Sequence, residues 1–325
     1  MKLSIDRIRL IFARYSRLIR AIVIILVLVL VVYFSIRQFA DISLEELQRA
    51  AEELTLPGLG VVGLIGSLSF LFTAGYDLVE NHYHPSGLSI INILFIGWTS
   101  QSFGRFLSSG GLSGGALRIK LYKRYDSSRE EAVGYGVRIW AAGLTGLCFL
   151  IWVSLPFVIG RVDRLILTLA ALFSQYLLFY YLTGFIKIGK LNIKASPIGK
   201  MPMREKMSLN LVSIVEWSAA FTFFAYTISL FSPPIPILSL LFIYASSTAV
   251  GYLSFIPGGL GSFDLVAISL LGAYGMVTER AVLSLMLFRA FFYIAPFVIF
   301  MIVLGCNCGQ RFFCRRREKC EDKDA

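Results

Sequence analysis

The sequence predicts an all-α, polytopic integral membrane protein, and three observations carry that expectation. The chain is 57% hydrophobic and only 16% charged, with a mean hydropathy of +0.73. A soluble domain of 325 residues cannot hide that much apolar surface, so the bilayer has to act as its solvent. The net charge of +11 is spread over the tails and the short loops between apolar runs. That is the pattern of basic cytoplasmic loops, and it argues against a nucleic-acid face. Finally, two glycine-rich breaks, Gly110-Gly111-Leu112-Ser113-Gly114-Gly115 and Pro257-Gly258-Gly259-Leu260-Gly261-Ser262, interrupt apolar stretches. Lipid gives a broken backbone no hydrogen-bond partner, so such breaks belong inside protein or beside a wet cavity. A matched pair in corresponding halves points to a transport site.

Taken in order, residues 1–18 form a basic cytoplasmic segment, 19–305 the membrane domain and 306–325 a basic, cysteine-containing cytoplasmic tail. The apolar run 21–36 follows Arg7, Arg9, Arg14, Arg17 and Arg20, and no small-x-small cleavage site follows it, so it reads as a retained helix. Acidic residues dominate the next loop, which is therefore expected outside; Ser43 with Glu46 suggests a capping box there. A span at 59–79 returns the chain inside. The stretch 88–107 then starts inside, yet the following loop is basic again at Arg118, Lys120, Lys123 and Arg124. A re-entrant pair of half-helices turning near Gly110 restores the parity; a short extra span is the alternative. Spans follow at 133–159, 165–186, 209–231 and 237–255, with a cytoplasmic loop at 187–206. The stretch 263–274 is too short to cross about 30 Å of hydrocarbon, and 281–304 is the last span. The expectation is about eight spans plus re-entrant half-helices. Hydroxyl-rich Thr99-Ser100-Gln101-Ser102 and Ser246-Ser247-Thr248 precede the two breaks, which suggests an inverted repeat.

Ionisable residues at membrane depth are costly and need a partner or water. They are Asp77, Arg105, Arg118, Arg138, Glu216, Asp264 and Arg289. Asp77 and Arg118 also lie where a side chain can snorkel to the interface. Asp264 follows the second break, where a carboxylate caps a helix. Enzymatic patterns are lacking: there is no P-loop lysine motif and no GxSxG elbow. His82 and His84 have no neighbouring Cys, Asp or Glu spacing that completes a metal site. Cys306, Cys308, Cys314 and Cys320 lack paired CxxC spacing and face a reducing compartment, so neither disulfides nor metal are expected, and no cofactor is.

Tyr76-Asp77, Gly110 through Arg118 and Leu121-Tyr122-Lys123 resemble the membrane half of the bacterial lysylphosphatidylglycerol synthase, or multiple peptide resistance factor, family. So do Val215-Glu216-Trp217, residues 256–264 and Phe288-Arg289-Ala290-Phe291-Phe292-Tyr293 with Pro296, together covering about residues 10–305. The resemblance implies a flippase in the bacterial cytoplasmic membrane, with both termini cytoplasmic. Its cargo would be anionic or aminoacylated phosphatidylglycerol, moved to the outer leaflet, which confers resistance to cationic antimicrobial peptides. The family joins such a region to a domain that transfers lysine from lysyl-tRNA, and no such domain is expected in this chain. The candidate headgroup site is Arg118, Arg289, Asp77, Glu216 and Asp264, with Gly110, Gly111, Gly114, Gly258, Gly259 and Gly261; Arg105 is the least determined. Membrane phospholipid is the expected partner, with a separate synthase or a second copy beside it and no nucleic acid. The alternatives are a lysyltransferase-family accessory subunit and a small-solute transporter.

Overall fold

The computed structural model describes residues 45, 52, 55–107, 112–124, 128–187, 193–254 and 256–303. The expected first span at 21–36, nearly all of the 43–54 helix, Gly110, Gly111 and the cysteine tail lie outside the described residues. Every regular element among the described residues is helical. Helix α1 (Leu56–Leu71) starts where the Thr55 hydroxyl accepts the Gly58 N–H, and a 3₁₀ turn at Phe72–Ala74 leads it into α2 (Gly75–Tyr83). Helices α3 (Ile90–Leu107) and α4 (Leu112–Arg124) follow, and Leu112–Gly115, expected within the first break, form the first turn of α4. A full capping box of Ser128 and Glu131 starts α5 (Arg129–Ala142), which bends at Gly143 into α6 (Thr145–Ser154). Helices α7 (Arg164–Ser174) and α8 (Tyr176–Leu182) form the next rod, opened by Asp163 accepting the Leu165 N–H. Helix α9 (Met203–Ser229) is the longest. Helices α10 (Ile237–Leu253) and α11 (Ser262–Gly272) flank the second break. Helix α12 (Thr278–Arg289) continues through a π turn at Ala290–Ile294.

Five of these rods are long and apolar enough to cross a bilayer: Pro57–Tyr83, Glu130–Phe157, Arg164–Leu182, Met203–Ser229 and Thr278–Val303. At 1.5 Å per residue the longest reach about 40 Å. The polarity is that of a membrane protein. Leu64, Ile91, Leu165, Leu172, Phe185, Leu265 and Ile302 are exposed, while Asp77, Glu80, Arg118, Glu205 and Glu216 are buried. A soluble fold keeps such charges outside. Several boundaries depart from the sequence expectation: the expected span at 237–255 is the 17-residue α10, shorter than the five rods, and the first break narrows as α4 begins at Leu112. Residues 203–206 were assigned to a cytoplasmic loop because of their charge, yet α9 begins at Met203, directly after Pro202, and buries Glu205 and Lys206.

Helix α9 is the axis of the molecule and touches α1, α2, α5, α6, α10 and α12. In lipid, helices associate through close packing and interhelical hydrogen bonds rather than hydrophobic burial. Both are present where α6 meets α9: a Cβ on Gly146 would lie 2.3 Å from the Ser213 carbonyl, and the Gly146 N–H donates to the Ser213 hydroxyl at 2.8 Å. The α5–α6 bend frees the Gly143 carbonyl, which accepts from the Trp217 indole at 2.7 Å and the Ser213 hydroxyl at 3.1 Å. Around α9 to α12, Phe223, Phe224, Tyr244, Phe263, Phe288 and Phe292 form one aromatic core.

Candidate functional site

The second glycine break packs against the hairpin that carries the first. Helices α3 and α4 pack as an antiparallel hairpin, as do α10 and α11. In the first, a Cβ on Gly114 would sit 2.5 Å from the Ser100 carbonyl oxygen, so only glycine permits that approach. In the second, Gly258, Gly259 and Gly261 have φ of 62°, 61° and 81°, a region other residues enter only with strain. A Cβ on Gly258 would lie 3.7 Å from the Phe106 carbonyl oxygen and 3.8 Å from that of Arg105. The second break therefore rests on the C-terminal end of α3.

Three ion pairs surround this junction. Arg118 grips Asp77 with both arms of its fork, Nε to Oδ1 at 2.9 Å and Nη2 to Oδ2 at 3.0 Å, and the Tyr122 hydroxyl adds a third bond at 3.1 Å. Both partners are buried, so the pair spans the interior and the snorkelling reading does not hold. Glu216 receives Arg105 and the Tyr76 hydroxyl, with the Gln101 amide at 3.2 Å. Arg289 holds Asp264 through Nε at 2.8 Å and Nη2 at 2.7 Å, and also donates to the Gly258 and Gly259 carbonyls. Asp264 in turn accepts the Gly261 N–H at 2.9 Å. Its capping role is thus in place, and Arg289 ties α12 to the second break.

Two clefts open beside the pairs. Arg105, Tyr252, Tyr293, Gly258 and Gly259 line one, about 450 Å³ counting the space open at its mouth. Gln101, Gly115, Arg118 and Glu216 line the other, about 430 Å³ on the same measure. Trp217 and Tyr252 border both clefts and touch edge to face with ring centroids 6.0 Å apart, so they form the partition between them. Unspent polar groups cluster nearby: Arg105 Nη1 and the hydroxyls of Thr99, Ser100, Ser102, Tyr244 and Ser247 are buried without a hydrogen-bond partner. Buried polar groups are normally satisfied, so such a concentration marks a place meant for water or a polar ligand.

A family described as the lysylphosphatidylglycerol synthase TM region matches residues 18–299. The chain belongs to this family. It is similar to a Staphylococcus aureus (strain COL) protein named phosphatidylglycerol lysyltransferase, 24% identical over 273 residues, or 84% of this chain and 32% of that one. A protein of the same name from Staphylococcus haemolyticus (strain JCSC1435) is 27% identical over 260 residues, 77% of this chain and 30% of that one. The chain thus spans about a third of the length of these relatives, within their membrane region.

The structure brings Asp77, Arg118, Glu216, Asp264, Arg289, Gly258, Gly259 and Gly261 into one central zone. Gly114 serves helix packing, and Gly110 and Gly111 fall outside the described residues. Sequence reasoning undervalued Arg105 and did not find Tyr76, Gln101 or the Trp217–Tyr252 partition. Arg105 lies seven residues before Leu112, at the end of an apolar stretch, and that was its available signal.

Proposed function

We propose that this chain moves phospholipid headgroups between leaflets, with anionic or lysylated phosphatidylglycerol as the cargo. The observation that carries the reading is the second break resting on the end of α3 at Arg105, whose Nη1 has no protein partner among the described residues and whose guanidinium lines a cleft. A phosphodiester needs a guanidinium donor in a partly dry site. A lysyl amine needs an acceptor, and Glu216 stands beside Arg105 and lines the second cleft. The headgroup would pass from one cleft to the other across the Trp217–Tyr252 partition while the acyl chains stay in lipid. The unspent hydroxyls of residues 99–102 and 244–247 would replace its water shell. Re-entrance of both hairpins and a cytoplasmic placement of the basic loops belong to this proposal.

Both clefts are narrow, with Trp217 and Tyr252 standing between them. Passage therefore requires α3–α4 and α10–α11 to part, and the second break against the end of α3 is where they touch. The test is reconstitution of the chain alone into liposomes carrying labelled phosphatidylglycerol or lysylphosphatidylglycerol, followed by surface quenching of the label. Protein-dependent exposure that varies with headgroup supports the proposal. Well-inserted protein that exposes neither lipid would shift the reading to an accessory or solute-transport role.

A further inference from the structure

A second polar cluster lies apart from both clefts, where the end of α2 meets the start of α9. Glu80 and Glu205 are both 0% exposed. Arg138 from α5 pairs with Glu80 Oε1 and reaches Glu205 Oε1 at 3.5 Å. Its guanidinium lies over the Tyr135 ring, 5.7 Å from the centroid. The central pairs match one carboxylate to one arginine; here two carboxylates share one. Lys206, the residue after Glu205, directs its ammonium elsewhere, to the Thr183 hydroxyl at 2.8 Å and the Tyr181 carbonyl at 3.3 Å. Consequently Glu80 Oε2 and Glu205 Oε2 are buried with no hydrogen-bond partner. Buried carboxylate oxygens are normally compensated, so the pattern asks for one more positive partner.

His84 completes the set. It caps the C-terminus of α2, four residues after Glu80, and its backbone N–H donates to the Glu80 carbonyl at 2.8 Å. Its Nε2 lies 3.3 Å from Glu205 Oε1. Donor atoms of Glu80, His84 and Glu205 all fall within 4.8 Å of one another. Tetrahedral zinc with bonds of about 2.0–2.1 Å has ligand-to-ligand edges of about 3.3–3.4 Å, which matches the His84–Glu205 separation. The His84 side chain is 42% exposed and gives an ion a way in from the surface. One imidazole with two carboxylates suits zinc and its neighbours among the transition metals; magnesium and calcium favour all-oxygen shells.

We propose that Glu80, His84 and Glu205 bind one divalent cation of the zinc class, with Arg138 as the outer partner of the carboxylates. A bound ion ties the end of α2 to the first turn of α9, one turn from Asp77. Sequence spacing pointed away from a metal because the third ligand lies 121 residues from His84. This inference is independent of lipid transport.

The test uses the full chain in detergent with Cys306, Cys308, Cys314 and Cys320 changed to Ser, so that tail thiolates do not contribute. After chelator stripping, equilibrium dialysis against zinc should give one ion per chain and a raised melting temperature. His84→Ala, on the exposed side of the cluster, should weaken binding by about tenfold or more, and Glu205→Gln should do the same. Cobalt in place of zinc should give the intense visible bands of a tetrahedral site. Failure to retain zinc at tens of micromolar, or zinc binding unchanged in His84→Ala and Glu205→Gln, overturns the proposal. If Glu205→Gln does not fold, His84→Ala alone decides.

Discussion

Arg105 differs from Arg289 in one respect that sets its role: a buried arm of its fork has no hydrogen-bond partner among the described residues. The Phe292 ring 4.3 Å from its guanidinium carbon, and Phe70 at 5.2 Å, hold the group in place. Arg105→Lys keeps a charge for Glu216 but loses the planar fork and its free donor. We expect lipid exposure in the liposome assay to fall about tenfold, a loss of about 1.4 kcal/mol, with the melting temperature nearly unchanged. Equal transport by the variant would remove Arg105 from the headgroup path. Arg289 should behave differently, because its donors all serve the frame. Arg289→Met leaves Asp264 with a single backbone donor in a partly buried site, and breaking such a pair typically costs about 3–5 kcal/mol. Thermal unfolding in detergent should show that loss, and transport should fall only as the folded fraction falls. These roles were partly legible in the sequence. The charged residues announced themselves by their cost in lipid, but who pairs with whom did not. Glu216 meets Tyr76 and Arg105 across separations of 140 and 111 residues, and only the packed helices bring them together.

At the scale of elements, the glycines of the second break were legible in the sequence, whereas Gly114 and Gly115, expected in the first, are helical and serve close packing. Their geometry separates into two kinds, and substitution should tell them apart. Gly114→Ala forces a methyl to 2.5 Å from the Ser100 carbonyl, so α4 must move off α3. Gly259→Ala meets both a positive φ and the Gly251 backbone at 3.0 Å, and the left-handed conformation alone costs about 1–2 kcal/mol. Gly60→Ala has nothing within 4 Å and should be neutral. Melting temperatures in detergent should therefore rank Gly60→Ala level with the parent and both others below it. A Gly114→Ala protein as stable as the parent would show that the α3–α4 packing is wrong. Other features of the elements were hidden. The bend at Gly143 works because Trp217 and Ser213, on a different helix, satisfy its carbonyl. The start of α9 was misplaced because the charges of Glu205 and Lys206 argue for a loop unless their buried partners are known.

For the whole molecule, the balance of charge inside the fold bears on how the proposed transport would be driven. Asp77, Glu216 and Asp264 each have an arginine partner. Carboxylates already neutralised in this way have no need of a proton, and Glu80 and Glu205, which share Arg138, lie away from both clefts. This argues for a passive route on which the headgroup's own charge sets the final distribution. A lysylated headgroup carries a net charge of about +1 and phosphatidylglycerol about −1, and 100 mV acts on one charge with about 2.3 kcal/mol. That energy corresponds to about a fiftyfold ratio between leaflets. With the interior negative, the cationic lipid should collect in the inner leaflet and the anionic one in the outer. Liposomes with a potassium diffusion potential would show the two labels shifting in opposite directions, and both shifts should vanish when the potential is collapsed. A distribution that instead follows an imposed proton gradient at zero potential would mean that one of the ion pairs opens to carry a proton. The arginine partners of Asp77, Glu216 and Asp264 would then be the first groups to replace.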